Sequence, residues 1–219
     1  MTAVDAVWVL GRCTISPAVL TSARLKVYGK ENVPATGGAV LALNHFHWLD
    51  PAAFGVACPR SIHYMAKVEA HRVPGLGSLI RAFGTFAVRR GETDRDAVRY
   101  MRKVVRDGHL LGIFAEGTRQ RSGVPGPVQP GAAMAALQEG MPVVPGAIFG
   151  THTWKPGNFA PVSVAWGPAL RFDDLPRNGK GYREASETIQ AELFRLWEWL
   201  ATVHADGRPR SAVVPGRPS

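Results

Sequence analysis

Short apolar runs recur along this chain, each separated from the next by a stretch of helical spacing or by a turn rich in glycine and proline. That alternation is the strongest constraint on the fold, because strands interleaved with helices build a helix-covered α/β sheet. Strands are expected at Ala39–Leu43, Ile62–Met65, Thr85–Val88, Leu110–Phe114, Val143–Ile148 and Val162–Trp166. Ala97, Val98, Met101, Val104 and Val105 fall at helical spacing behind Thr93-Asp94-Arg95-Asp96, which resembles a capping box, and Gly108 suits the C-terminal cap. Gly131–Glu139 reads as a second helix closed by Gly140. Tyr182–Val203 reads as a long helix with Ala185, Ile189, Leu193, Leu196, Trp197 and Leu200 on one stripe. The 219 residues suffice for one well-buried core. The expected architecture is therefore a single α/β domain over residues 1–205, with a mixed, mostly parallel sheet flanked by helices. Beyond Asp206 the Arg, Pro and Gly content predicts a disordered tail over 206–219.

No transmembrane helix is expected, because the apolar run Ala6–Gly11 stops at Arg12 and Pro17 interrupts the next stretch, while a span needs ~20 apolar residues. Asp5 in place of a basic cluster argues against a secretory signal. Residues 4–20 either lie at a membrane interface, with Trp8 and Leu10 in the headgroup boundary, or cover the core. Two cysteines, Cys13 and Cys58, form no CxxC pair and read as free thiols in a reducing compartment. The formal charge of +9 points to an anionic partner: nucleic acid, an anionic membrane face or a phosphorylated substrate.

The segment Asn44-His45-Phe46-His47-Trp48-Leu49-Asp50 carries the chemistry. Five positions separate His45 from Asp50, and in a regular helix such a step turns direction by about 140°. The two side chains meet only if His45 lies in a turn just before a helix beginning near Asp50. Asp50 as N-cap and Pro51 at the first helical position fit that reading. An imidazole at a strand-to-helix turn, its tautomer fixed by a carboxylate, has the makings of a general base.

A second cluster, Phe114-Ala115-Glu116-Gly117-Thr118-Arg119, follows another strand directly. It places a pliable backbone, a hydroxyl and a guanidinium at a sheet end, where a planar fork can grip phosphate in bidentate fashion. Lys67 and Arg89-Arg90 lie between the two clusters, and residues 71–121 hold eleven Lys and Arg against five Asp and Glu. Arg95, Arg99, Arg102, Lys103 and Arg106 among them read as a solvated helix face.

Four blocks in order complete the picture: Asn44-His45 through Asp50; Met65–Glu69 with Val73–Gly77 and Phe86–Gly91; Phe114–Arg119; and Met141-Pro142-Val143-Val144-Pro145. Together, over roughly residues 27–150, they resemble the PlsC-like glycerolipid acyltransferase family, of the 1-acyl-glycerol-3-phosphate acyltransferase type. The resemblance implies that fold, with His45 as base and Asp50 as its orienting partner. It implies that Arg89 and Arg119 hold a glycerol phosphate, with Glu116, Gly117 and Thr118 shaping the loop and Lys67 as a further candidate. It implies an acyl-CoA or acyl carrier protein donor, 1-acyl-glycerol 3-phosphate as acceptor or else another lysophospholipid or glycerol 3-phosphate, and no metal or redox cofactor. It also implies a cytoplasmic, peripheral place on the inner face of the plasma membrane, an anionic surface. His47 departs from the family pattern, standing where a small hydroxylic residue is common, so a second imidazole lies beside the base.

Two other classes are weighed. His45-x-His47 has zinc-type spacing, and His63, His109 or His152 could complete a hydrolytic site, but Asp50 is one position late for the usual motif. A basic nucleic-acid-binding module fits the charge, yet aromatic and basic residues do not interleave and no recognition motif is present. No Gly-x-Ser-x-Gly occurs, which disfavours a serine hydrolase.

Overall fold

The computed structural model describes residues 3–88 and 95–216. In chain order these form α1 (Ala3–Ser22), β1 (Lys26–Tyr28), β2 (Ala39–Leu43), α2 (Asp50–Ala57), β3 (Ile62–Lys67), α3 (Val68–Arg72), α4 (Leu76–Ala82) and β4 (Phe86–Val88). Then follow α5 (Arg95–Arg106), β5 (Leu110–Phe114), α6 (Gly131–Glu139), β6 (Val143–Phe149), β7 (Ser163–Trp166) and α7 (Gly179–Ala205). The described strands make one sheet in the order β1-β7-β6-β2-β5-β3-β4, parallel at every pairing except β6 with β7. The expected mixed, mostly parallel α/β sheet is what forms.

β2 lies at the centre and is buried along its whole length. Its side chains alternate between two cores, as the period of two in a strand requires. Ala39, Leu41 and Leu43 face a layer holding Trp8, Phe54, Ile62 and Trp166 under α1 and α2. Val40 and Ala42 face the layer of α5, α6 and α7, with Val105, Ala133, Ile189 and Leu193. Gly38 precedes β2 because a Cβ there would come within 1.8 Å of the Val105 carbonyl oxygen. Only glycine lets the end of α5 approach that closely. The C-terminal ends of β2 and β5 thus lie side by side, with Leu43 opposite Phe114.

Three sequence expectations are corrected. The N-terminal run is not broken at Arg12 and Pro17: α1 is a continuous helix, and Val4–Ser22 is long and apolar enough to cross a membrane by length and composition. Arg12 is accommodated because its guanidinium donates to the Cys58 carbonyl. Pro17 lacks only one N–H, within a helix that packs on α2 through Trp8 and Gly55. The segment after α7, where a tail was expected, is tied to the body at particular points, although Val213 is 80% exposed: Arg208 is buried and donates to the carbonyls of Arg24 and Val162, and Arg195 donates to that of Pro215. Lastly, Asp50 begins α2 without capping it. Thr93 and Asp94 of the expected capping box lie outside the described residues, although the helix itself, α5, is present.

Candidate active site

His45 leaves the end of β2, and its backbone is held on both sides by the segment that follows β5. The His45 N–H donates to Glu116 Oε2 at 2.8 Å, and the His45 carbonyl accepts the Gln120 N–H at 2.7 Å. One residue earlier, fully buried Asn44 acts as an extra rung of the sheet. Its amide donates to the Ile148 carbonyl at 3.0 Å while its oxygen accepts the Ile148 N–H at 2.8 Å. The ring of His45 stacks on Phe114, with centroids 4.0 Å apart and planes inclined by 22°. Both chain and ring are therefore fixed before the carboxylate contributes.

Asp50 has no solvent exposure. Its Oδ2 accepts three hydrogens: His45 Nδ1 at 2.8 Å, the Phe46 N–H at 2.6 Å and the His47 N–H at 2.7 Å. The side chain reaches back across the turn instead of down onto its own helix, and Pro51 has no N–H to cap in any case. A carboxylate can only accept here, so His45 carries its proton on Nδ1 and leaves Nε2 as the basic lone pair. The His45 side chain keeps 15% of its surface open. A buried carboxylate, a locked tautomer and a partly exposed ring are what a general base requires.

Glu116 braces this turn. Only 4% exposed, it also accepts the Gly126 N–H through Oε1 at 3.0 Å. Burial pushes its carboxyl up to about 7, against the opposing pull of those two backbone hydrogen bonds. Both its oxygens are occupied by the chain, so its contacts shape the loop. Gly117 turns the segment outward in the left-handed region, at φ 71°. Thr118 and Arg119 follow as exposed residues, Arg119 without a hydrogen-bond partner among the described residues and close enough to His47 for its charge to be felt there. Lys67 ends β3, its side chain outside the described set, and Arg89 lies outside the described residues altogether.

Of the histidines that could complete a zinc site, His152 packs edge-on against Phe46 with ring centroids 6.0 Å apart, whereas His63 and His109 lie elsewhere. His63 and His109 stand at the opposite edge of the sheet, at the starts of β3 and β5, with rings 4.9 Å apart. No group of three or more His, Cys, Asp or Glu side chains able to hold a metal occurs among the described residues. The basic face of α5 is largely neutralised within the protein: Arg102 and Arg106 pair with Glu139, Lys103 with Asp107 and Arg99 with Asp96.

Sequence reasoning anticipated that His45 and Asp50 meet across the turn, but overlooked the contacts of Asn44, Phe114 and the Gln120 amide. Asn44 offered a signal. A polar side chain directly continuing a fully apolar strand must find partners in the interior.

The family model described as Acyltransferase matches residues 24–149, which includes every residue of this site. The chain is 36% identical over 146 residues to a 1-acyl-sn-glycerol-3-phosphate acyltransferase of Bacillus subtilis, covering 65% of this chain and 72% of that protein. A protein of the same name from Borreliella burgdorferi is 30% identical over 139 residues, covering 62% and 55% respectively. A shorter match, 40% identical over 82 residues, is to a lyso-ornithine lipid O-acyltransferase of Rhodobacter capsulatus, covering 37% of this chain and 29% of that protein. Among solved structures, the 1-acyl-sn-glycerophosphate acyltransferase PlsC from Thermotoga maritima superimposes with a TM-score of 0.71 at 21% identity, covering 90% of this chain and 79% of that one. That likeness establishes the fold. With the matched family model spanning more than half of its residues, the chain belongs to the acyltransferase family.

Proposed function

We propose that the protein transfers a fatty acyl group from an acyl thioester, acyl-CoA or acyl carrier protein, to the free hydroxyl of 1-acyl-glycerol 3-phosphate, giving phosphatidic acid. The observation that carries this reading is the His45–Asp50 pair at 2.8 Å, with Arg119 exposed on the neighbouring segment. His45 Nε2 takes the hydroxyl proton as the oxygen attacks the thioester carbonyl, and Asp50 stabilises the imidazolium that forms. The tetrahedral intermediate collapses as the carbon–sulfur bond breaks, and His45 returns the proton to the departing thiolate. Arg119 holds the acceptor's phosphate through its guanidinium fork. The family resemblance adds Lys67 and Arg89 as further candidates for holding the phosphate. The names of the relatives support the choice of acceptor.

Two features favour work at a membrane surface, and the formal charge of +9 suits an anionic one. The outer side of α1 presents Val9, Leu10 and Leu20 to solvent, and Leu76 and Leu79 of α4 are exposed as well. The two helices are joined where Phe83 packs on Trp8, whose indole donates to the Phe83 carbonyl. A helix so bound to the body lies along an interface and does not cross it.

The deciding experiment offers acyl-CoA and acyl carrier protein donors with a panel of lysolipids to the wild type, His45→Ala and Arg119→Ala. His45→Ala should lose roughly 10³-fold in rate, as removal of a general base implies. Arg119→Ala should weaken phosphate-bearing acceptors selectively. An active His45→Ala enzyme would refute the mechanism, and equal losses on neutral acceptors would refute the phosphate assignment.

A further inference from the structure

His47 is a residue in which this chain departs from its family pattern, and its surroundings define its proton state. Its N–H is given to Asp50 Oδ2. Its ring folds back so that Nδ1 accepts the Leu49 N–H at 3.2 Å. A ring nitrogen that accepts carries no proton, so the neutral imidazole bears its hydrogen on Nε2. Adding a second proton at Nδ1 would set two donors face to face. Burial pushes the ring's pKa down; the charges of Arg119 and His45 push the same way, opposed by Asp50. The ring thus remains a neutral N–H donor.

Its orientation is fixed as well. Trp154 packs edge-on at 5.6 Å, Trp48 lies tilted at 5.2 Å, and the two indoles contact each other. The Nε2–H nevertheless meets no acceptor among the described residues and is not sealed from solvent. A fixed donor without an acceptor among the described residues therefore lies close enough to both His45 and exposed Arg119 to feel their charges. A guanidinium fork satisfies two oxygens of a phosphate monoester and leaves the third to be met by another donor.

From this geometry we infer that His47 is an acceptor-binding residue, donating its Nε2–H to the third oxygen of the acceptor's phosphate beside Arg119. The inference rests on the acyl-transfer reading and deepens it, naming a phosphate monoester as the group selected. A neutral donor adds direction without a second full charge, so it discriminates the phosphate by geometry where Arg119 discriminates by charge.

The test compares His47→Phe, which keeps a ring between the two indoles but has no donor, with His47→Gln, whose amide N–H reaches a similar position. His47→Met serves as a second donor-free variant if the phenylalanine one does not fold. The donor-free variant should raise KM for 1-acyl-glycerol 3-phosphate roughly 10-fold, as for a lost hydrogen bond to an anion. Its kcat should stay within about 3-fold, the mark of binding lost equally from ground and transition states. KM for a monoacylglycerol, which lacks phosphate, should not change, and His47→Gln should recover most of the affinity. A fall in kcat at constant KM on every acceptor would make His47 an oxyanion donor and overturn the proposal, as would equal KM rises on both acceptors or no change at all. Failure of the acyl-transfer reading would be seen separately, in an active His45→Ala enzyme.

Discussion

Replacing Asp50 by asparagine isolates the charge of the buried carboxylate from its hydrogen bonds. Oδ2 accepts from two backbone N–H groups as well as from His45 Nδ1, all within 2.6–2.8 Å. An asparagine must put its oxygen in that place, because its NH₂ there would face three donors. His45 then still finds an acceptor at Nδ1, and its basic nitrogen stays on the substrate side. In a catalytic triad, an amide in place of the carboxylate has cost about 10⁴-fold because it favoured the wrong tautomer. Here the backbone donors exclude that outcome. What remains is the difference between a charge-assisted and a neutral hydrogen bond, about 1–2 kcal/mol. In rate this is roughly 5- to 30-fold. Asp50→Ala, by contrast, strands two backbone N–H groups at about 1–3 kcal/mol each and releases the ring. It should lower Tm and reduce kcat/KM by roughly 10³-fold or more. Both variants are compared by thiol release from an acyl thioester at saturating donor, with thermal melts as the folding control. If Asp50→Asn is as inactive as Asp50→Ala while melting like the wild type, the tautomer argument is wrong.

Three further outcomes are expected. Folding lifts the Glu116 carboxyl from its ordinary 4.5 to about 7, so the folded state holds a proton that the unfolded chain has released. Stability should therefore fall as pH rises between those values, by up to roughly 3 kcal/mol relative to Glu116→Gln, whose denaturant curves should lack that component; parallel pH profiles would contradict it. Asn44→Leu leaves the Ile148 N–H and carbonyl unpaired in the interior and should destabilise by about 2–5 kcal/mol in urea unfolding; a neutral effect would mean the rung is dispensable. Gly38→Ala drives a methyl into the Val105 carbonyl and should cost about 3 kcal/mol or more unless α5 shifts, and a melt unchanged from wild type would show that it does.

The sheet was legible because its signal is local: the six expected strands all form, with ends within a residue or two. β1 escaped notice because Lys26–Tyr28 is only three residues long and owes its strand conformation to pairing with β7, a partner far along the chain. α1 was misread because Arg12 and Pro17 break a pattern on paper, while the Cys58 carbonyl that receives the guanidinium belongs to another element. At the site, His45 and Asp50 could be joined by counting residues. Glu116 could be placed near them, but its task could not be known. Whether a carboxylate faces a ligand or the backbone depends on the path of residues 120–126, which composition does not reveal.

The pose of the base is a long-range property of the chain. Glu116 lies 71 positions from the His45 amide it receives, and Ile148 lies 104 from the Asn44 that it pairs with. No fragment ending before β5 could aim the imidazole, however well its own strand and helix formed. Turnover should hence vanish in step with the global melting of the sheet, without a partly folded but competent species along the way, because the middle of the sheet must close before the imidazole is poised to accept a proton.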